Sequence, residues 1–542
     1  MMQACWAQIV AFLQSTFSAQ DQLLLYLMAL LLVAGLVGAV LLSPLLQWAY
    51  VRGVQRFMGF RELAPPPQAW WERRVRRQRR PAAVEAASAL SLAGCMRQRE
   101  ARIRRATLAA WATLALGSLA LAPLQLDMGA GDTALMVVFV AALAAQPALV
   151  NLRPDGSKWV LLAGIVLIAG VALWSEQNRD GETWLGAVAI VGLPYLVCVH
   201  RTRRALVVPL AVLVAGVGLG LLVALVATSP GQCLNPGLQA RGGDWAVLGV
   251  VMAGMVGGFT LCLWLSMRLL DGLAGLIDRG WLSDLSVVAI AGVAMITGFM
   301  TLSADHPRAT VGVQLALWAA WCVAVFAVYV IALRRQALPQ HGRRLLMLRV
   351  FSKDNRAERL LDTLQARWQL AGPVMEIGGP DLVKLNLDIH EVIAFLNFRL
   401  HELFQPAAVP AEVLARSLHL DLDREGRFRV NELFCFDTSW KAVVEQLLGL
   451  ADVVLLDLRG FNRDRGGTAH EVERLADRGL LPRVVAVHDG STDWAFFEGR
   501  VAGRGPDGQA LALKVDARDK QALARCLDGL LAVADASPPG PA

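Results

Sequence analysis

The chain has 542 residues, 56% hydrophobic and only 18% charged, with a formal net charge of +7. A soluble domain usually carries about a quarter charged residues, so composition excludes an ordinary single-domain soluble enzyme. The basic excess is 46 Arg against 6 Lys, arranged beside apolar runs, so no nucleic-acid partner is expected; the Arg-heavy usage reads as a GC-rich bacterial genome. Eight scattered cysteines without a CxxC or Cys/His cluster argue against a disulfide framework and a structural metal site.

Residues 1–21 lack the basic start of a secretory signal and read as a periplasmic N-terminus. Residues 22–334 contain apolar runs of helical length near 22–43, 106–124, 133–150, 159–174, 184–199, 205–228, 245–267, 285–303 and 311–333. The segment 52–105 holds fourteen arginines, and further basic residues lie at Arg153, Lys158, Arg201, Arg203, Arg204, Arg268, Arg279, Arg334 and Arg335. All of these fall on one side only with nine spans and the N-terminus outside. The expectation is a nine-span, multi-pass protein of the bacterial inner membrane with a cytoplasmic C-terminal domain. No ionisable residue lies well inside the spans, which argues against ion-coupled transport and leaves a neutral or lipidic substrate as the transport alternative. The glycine clusters Gly216–Gly220 and Gly254–Gly258 suit close helix packing and a homo-oligomer. Within the basic cytoplasmic loop 52–105, Pro65–Pro67 precedes paired tryptophans and dense arginine at Trp70–Arg80. That pattern predicts a headgroup-level helix binding the lipid bilayer through anionic lipids at 64–82.

After Arg344 short β-rich runs alternate with amphipathic helices. Leu345–Phe351 reads as a strand, Arg356–Leu370 as a helix and Pro373–Gly378 as a strand, followed by a helical insertion over 388–418. Arg427–Phe436 is extended, Trp440–Leu450 helical, Asp452–Leu458 a continuous apolar strand and Thr468–Arg478 a helix. Arg483–His488 and Leu511–Val515 are further strands, and Lys520–Ala534 closes with a helix. The pattern predicts a doubly wound, flavodoxin-like or TIR-like α/β domain over 343–536, with 537–542 a disordered tail. Ligands in such folds sit beyond the carboxyl ends of the strands, which directs attention to the loops that follow them.

The loop after Asp452–Leu458 carries the densest chemistry. Asp457 ends the strand, Arg459, Arg463 and Arg465 add positive charge, and Gly466-Gly467 precede a helix whose free N–H groups favour an anion. Glu471 lies one turn into that helix and could share a cleft with Asp457. The competing reading is structural: Thr468-Ala-His-Glu471 fits a capping box, in which Glu471 satisfies a backbone N–H. The first βα loop offers Ser352 and Lys353 for a phosphate. Beyond the run that includes Asn431, Glu432 and Cys435, Asp437 or Thr438 suits a helix N-cap, and Trp440 suits a base or a core. His470 and His488 read as solvated or capping residues, and Cys435 as a buried thiol.

The stretch Asp452–Glu471, a strand-end aspartate followed by a Gly-Thr-Ala-x-Glu helix start, resembles the nucleoside 2-deoxyribosyltransferase family. The resemblance implies Glu471 as nucleophile, Asp457 or Asp464 as sugar ligands, and an N-glycosidic-bond hydrolase or transferase. Similar TIR-type domains use a glutamate on such a helix to cleave NAD, which makes NAD or a nucleoside the implied ligand. The Arg459–Arg465 run and the insertion over 380–430 depart from both families. The whole chain is similar to polytopic inner-membrane proteins of proteobacteria. These expectations amount to a membrane-anchored domain that senses or processes a nucleotide-like ligand; a non-catalytic scaffold or signalling protein is the alternative.

Overall fold

The computed structural model describes residues 42–59, 91–125, 252–254, 256–277, 311–334, 342–349, 355–378, 389–405, 410–423, 426–504, 509–515 and 521–537, with isolated positions between 206 and 279. Among the described residues, the long helices ahead of the sheet are α1 (42–58), α2 (Leu92–Gln125), α3 (Met252–Ile277) and α4 (Val311–Arg334).

The nine-span expectation is corrected. Among the described residues one helix, Met252–Ile277, is long and apolar enough to cross a membrane, beside a shorter apolar helical stretch, Ala320–Leu333. The multi-pass inner-membrane location that rested on nine spans falls with it. The physical reason is that an apolar helical run reports burial, without saying whether lipid or protein does the burying. Tyr50, Val54, Leu270 and Ile277 lie in a protein core with Ile389 and Phe404 of the α/β domain. Most of the expected spans near 22–43 and 205–228, and all of those near 133–150, 159–174, 184–199 and 285–303, lie outside the described residues, as does the lipid-binding segment 64–82. The cytoplasmic loop expected over 52–105 is helical at both ends. Residues 52–58 continue α1, and 92–105 open α2, where Arg99 is fully buried, donates to the Leu370 carbonyl at 2.6 Å and lies 4.8 Å over the Phe428 ring. Gly216 makes a close contact inside the chain: a Cβ there would stand 1.8 Å from Oγ of Ser266.

The α/β domain is built as its alternation of strands and helices requires. Its elements are β1 (Leu345–Arg349), α5 (Asn355–Trp368), β2 (Val374–Gly378), α6 (Ile389–Leu396), β3 (Phe404–Gln405), α7 (Ala411–Ser417) and β4 (Val430–Cys435). There follow α8 (Trp440–Leu450), β5 (Val453–Asp457), α9 (Gly466–Asp477), β6 (Val484–His488), α10 (Trp494–Val501), β7 (Leu511–Lys514) and α11 (Ala522–Ala536). All strand pairs are parallel, in the order β3-β4-β2-β1-β5-β6-β7. The short edge strand β3 and helix α10 went unseen in the sequence.

Parallel strands buried on both faces need helices on both. Leu346, Leu348, Val454 and Leu456 pack under α7, α8 and α9 on one face, while Leu345, Met347, Val453 and Leu455 pack under α5 and α11 on the other. With β3 set aside the order is the 3-2-1-4-5-6 of one doubly wound class, which corrects the flavodoxin-like 2-1-3-4-5. The reason is that β4 pairs with β2 over five residues, from Val374↔Val430 to Gly378↔Phe434, so two strands lie outside β1 before the chain crosses back. That crossing puts the topological switch point between β1 and β5.

Candidate functional site

The loop leaving β5 is closed down. Leu458 extends the ladder by donating its N–H to the Val487 carbonyl at 2.8 Å, Gly460 turns the chain at φ +75°, and Phe461 is fully buried. Only a residue without Cβ adopts that φ freely. Residues 462–467 are exposed.

Helix α9 begins at Gly466, two residues before the expected start. Its N-cap residue is Arg465, which supplies no side-chain capping bond, and the first intrahelical bond runs from Ala469 N–H to the Arg465 carbonyl at 3.0 Å. The N–H groups of Gly466 and Gly467, both exposed, therefore stand without a helical acceptor. Thr468 becomes the third helical residue and is buried. Glu471 becomes the sixth, out of reach of the N-cap, so the capping-box role is excluded.

Glu471 is half-buried, and its Oε2 is closed off from solvent and makes no hydrogen bond. Burial pushes the carboxyl up to about 8. Desolvation disfavours the anion, so the neutral form prevails at pH 7. Beside it His470 meets Trp440 edge-on, with ring centroids 5.6 Å apart, and Gly467 lies close enough that a Cβ would sit 3.8 Å from the same indole. Burial and the charges of Lys441 and Arg474 lower the pKa of His470.

The structure thus brings Trp440, Gly466, Gly467, Thr468 and Glu471 together at the start of α9. It does not bring Asp457 to them. Val453 and Leu455 face α5 and α11, and side chains alternate along a strand, so Asp457 faces that side while α9 covers the other. Asp457 is buried and holds Arg459: Nε donates to Oδ1 at 2.8 Å, Nη2 to Oδ2 at 2.7 Å, and the Arg459 backbone N–H to Oδ1 at 3.1 Å. Burial opposes the Arg459 charge, but this pair and Asp489 raise its pKa overall.

Asp437 and Thr438 are exposed, and neither caps α8. The turn is made by Ser439, whose hydroxyl accepts from Phe436 N–H at 2.9 Å and donates to the Gln405 carbonyl at 2.6 Å. Asp464 sits on the exposed loop, with its N–H donated to Asn462 Oδ1 at 3.0 Å. Asn431 is a tie: its Oδ1 accepts from His419 N–H at 2.6 Å and its amide donates to the Val374 carbonyl at 3.2 Å. His488 packs on Trp494 at 4.6 Å, and burial pushes the Cys435 thiol up to about 12, far from any nucleophilic state. Ser352 and Lys353 lie outside the described residues.

No family model, curated protein or solved structure matches the chain. No family is therefore shown. The likeness to the deoxyribosyltransferases rests on Asp452–Glu471 alone, and half of its residue pattern is altered by the placement of Asp457 on the other sheet face.

A second polar group went unnoticed in the sequence. Arg349 closes β1, and its Cα pairs with Asp457 in the sheet register. Its Nη2 lies 3.6 Å from Glu376 Oε2, while Gln365 of α5 donates to Glu376 Oε1 at 2.8 Å. A charge ending the run LLMLR and a carboxylate inside VMEIG were the available signals, and strand alternation puts both on the Asp457 face.

Proposed function

We propose that the α/β domain binds a nucleoside- or nucleotide-like ligand, with NAD one such compound, at the carboxyl ends of β1 and β5, and that Glu471 acts on its N-glycosidic bond. The observation that carries this reading is the buried carboxyl of Glu471, without a hydrogen bond at Oε2, on a helix whose first N–H groups are uncapped. A buried polar group left unsatisfied costs about 1–3 kcal/mol, and folding alone gives no return for it. Switch-point crevices are where doubly wound sheets take their ligands, and an uncapped helix start favours an anion.

The pKa of about 8 supports a role as proton donor. With a purine nucleoside, a neutral carboxyl at pH 7 donates a proton to the departing base as the C1′–N bond breaks, and water adds to C1′; nicotinamide, already cationic, departs neutral without that proton. The same group ionises readily once a cationic nicotinamide approaches, so attack on C1′ is the competing role. One observation favours the non-catalytic scaffold instead: both oxygens of Asp457 are already taken by Arg459.

The test is turnover of NAD, adenosine and inosine by the purified full-length chain, followed by chromatography. Glu471→Gln is expected to lower the rate about 100-fold or more while leaving the melting temperature in place or raising it. As the acid, Glu471 makes the rate fall as pH rises past about 8; as the nucleophile, it makes the rate climb towards that value. A wild type that neither binds nor cleaves these compounds would leave the scaffold reading standing.

A further inference from the structure

We propose that Arg349 is an oxyanion receptor that takes the phosphate of the ligand, so that the domain selects nucleotides over nucleosides. The choice of ligand rests on the reading of Glu471 above; the anion site itself does not. Across the α5/α11 face run Glu432 on β4, Glu376 on β2, Arg349 on β1 and Asp457 on β5, joined by the register pairs Glu376↔Glu432 and Arg349↔Asp457. Arg459 is engaged by its paired bonds to Asp457. Arg349 is not: its side chain is nine-tenths buried, yet Nε and Nη2 make no hydrogen bond, and Glu376 stands 3.6 Å away, too far for one.

A guanidinium presents its donors in a planar fork that matches phosphate, and leaving such donors empty in a buried place is costly. The position adds direction, because Arg349 ends β1 at the switch point, where the chain leaves for β2 on one side while β5 lies on the other. A ligand lying over that crevice reaches the α9 side with its glycosidic bond and the α5 side with its phosphate. Arg349 pairs with Glu376 and Arg459 with Asp457, while Glu432 adjoins Glu376. Glu376 then acts as the built-in competitor that an arriving phosphate displaces.

The experiment is calorimetric titration of the full-length chain with inorganic phosphate, adenosine monophosphate and adenosine. Wild type should bind phosphate and prefer the monophosphate to adenosine by roughly tenfold or more, the scale of one charge-assisted contact. Arg349→Gln should abolish phosphate binding and equalise binding of the monophosphate and adenosine, and Arg349→Lys should retain part of both effects. Glu376→Gln should tighten phosphate binding several-fold, a gain that a misfolded variant cannot produce. No phosphate binding by wild type, or equal binding by Arg349→Gln and wild type, overturns the proposal. Loss of phosphate binding in Arg349→Gln, with adenosine unbound by wild type and Glu471→Gln silent, overturns the Glu471 reading alone.

Discussion

A carboxyl held near pKa 8 makes stability depend on pH in a defined direction. Glu471 titrates near 4.5 in the unfolded chain and near 8 in the folded one, so between these values the native state carries the extra proton. Its contribution is fully present below about pH 4.5 and is lost as pH rises through 8, with a slope of at most about 1.4 kcal/mol per pH unit. Glu471→Gln removes that slope, so denaturant titrations at pH 6 and pH 8.5 should show a variant gaining stability over wild type at the higher pH. An unchanged slope would place the carboxyl in water. The Asp457–Arg459 pair behaves differently, since both partners are buried and each satisfies the other. Arg459→Ala strands a buried carboxylate and should cost about 3–5 kcal/mol, whereas replacing both residues with leucine should cost much less. Chemical denaturation of the single and double variants separates the two.

Elements are fixed by close approaches that a side chain would spoil. Gly372 leads into β2, where an added Cβ would stand 1.9 Å from the Arg343 carbonyl oxygen, and Trp368 Nε1 donates to that same oxygen at 3.1 Å. The obstacle is backbone, so it cannot swing aside. Gly372→Ala should destabilise by about 1–3 kcal/mol or more, read from the unfolding midpoint. At α9 the uncapped start offers the opposite experiment. Arg465→Ser supplies the missing cap and should add about 1 kcal/mol of stability while weakening nucleotide binding, because the hydroxyl occupies an N–H the ligand needs. Gains in both stability and affinity would show that the helix start does not meet the ligand.

At the scale of the molecule, the N-terminal helices converge on the insertion after β2. Tyr50 of α1 donates to Glu391 of α6 at 3.1 Å, Asn397 donates to Asp271 of α3 at 2.7 Å, and Asp437 N–H reaches the Met58 carbonyl at 3.2 Å. The insertion that interrupts the sheet's alternation is therefore a docking platform, and it ends beside Ser439 at the carboxyl edge of β4. Arg99 makes the second join, through the Leu370 carbonyl and the Phe428 ring. Arg99→Ala should cost about 1.5–3 kcal/mol and speed amide exchange in Leu92–Gln125 more than in β5, which hydrogen-exchange mass spectrometry resolves.

Local patterns alone determined that the C-terminal region is α/β, and they located nine of its elements to within two residues at either end. Strands such as VVLLD are apolar at every position because both faces are covered, and that property is written in the run itself. The Gly-Gly start of α9 and the strand-end Asp457 were equally visible. Three things needed the folded chain. Apolar length could not distinguish a lipid-facing helix from one packed on protein; among the described residues one helix, overlapping the span expected near 245–267, is long and apolar enough to cross a membrane, and six of the nine expected spans lie wholly or mostly outside those residues. Strand order depends on which partner β4 finds across an insertion of some fifty residues, and no local pattern records that pairing. The face on which Asp457 and Glu471 end up follows from the same assembly: a strand's alternation fixes its side chains only relative to one another, and the helix that packs above decides which face each of them meets.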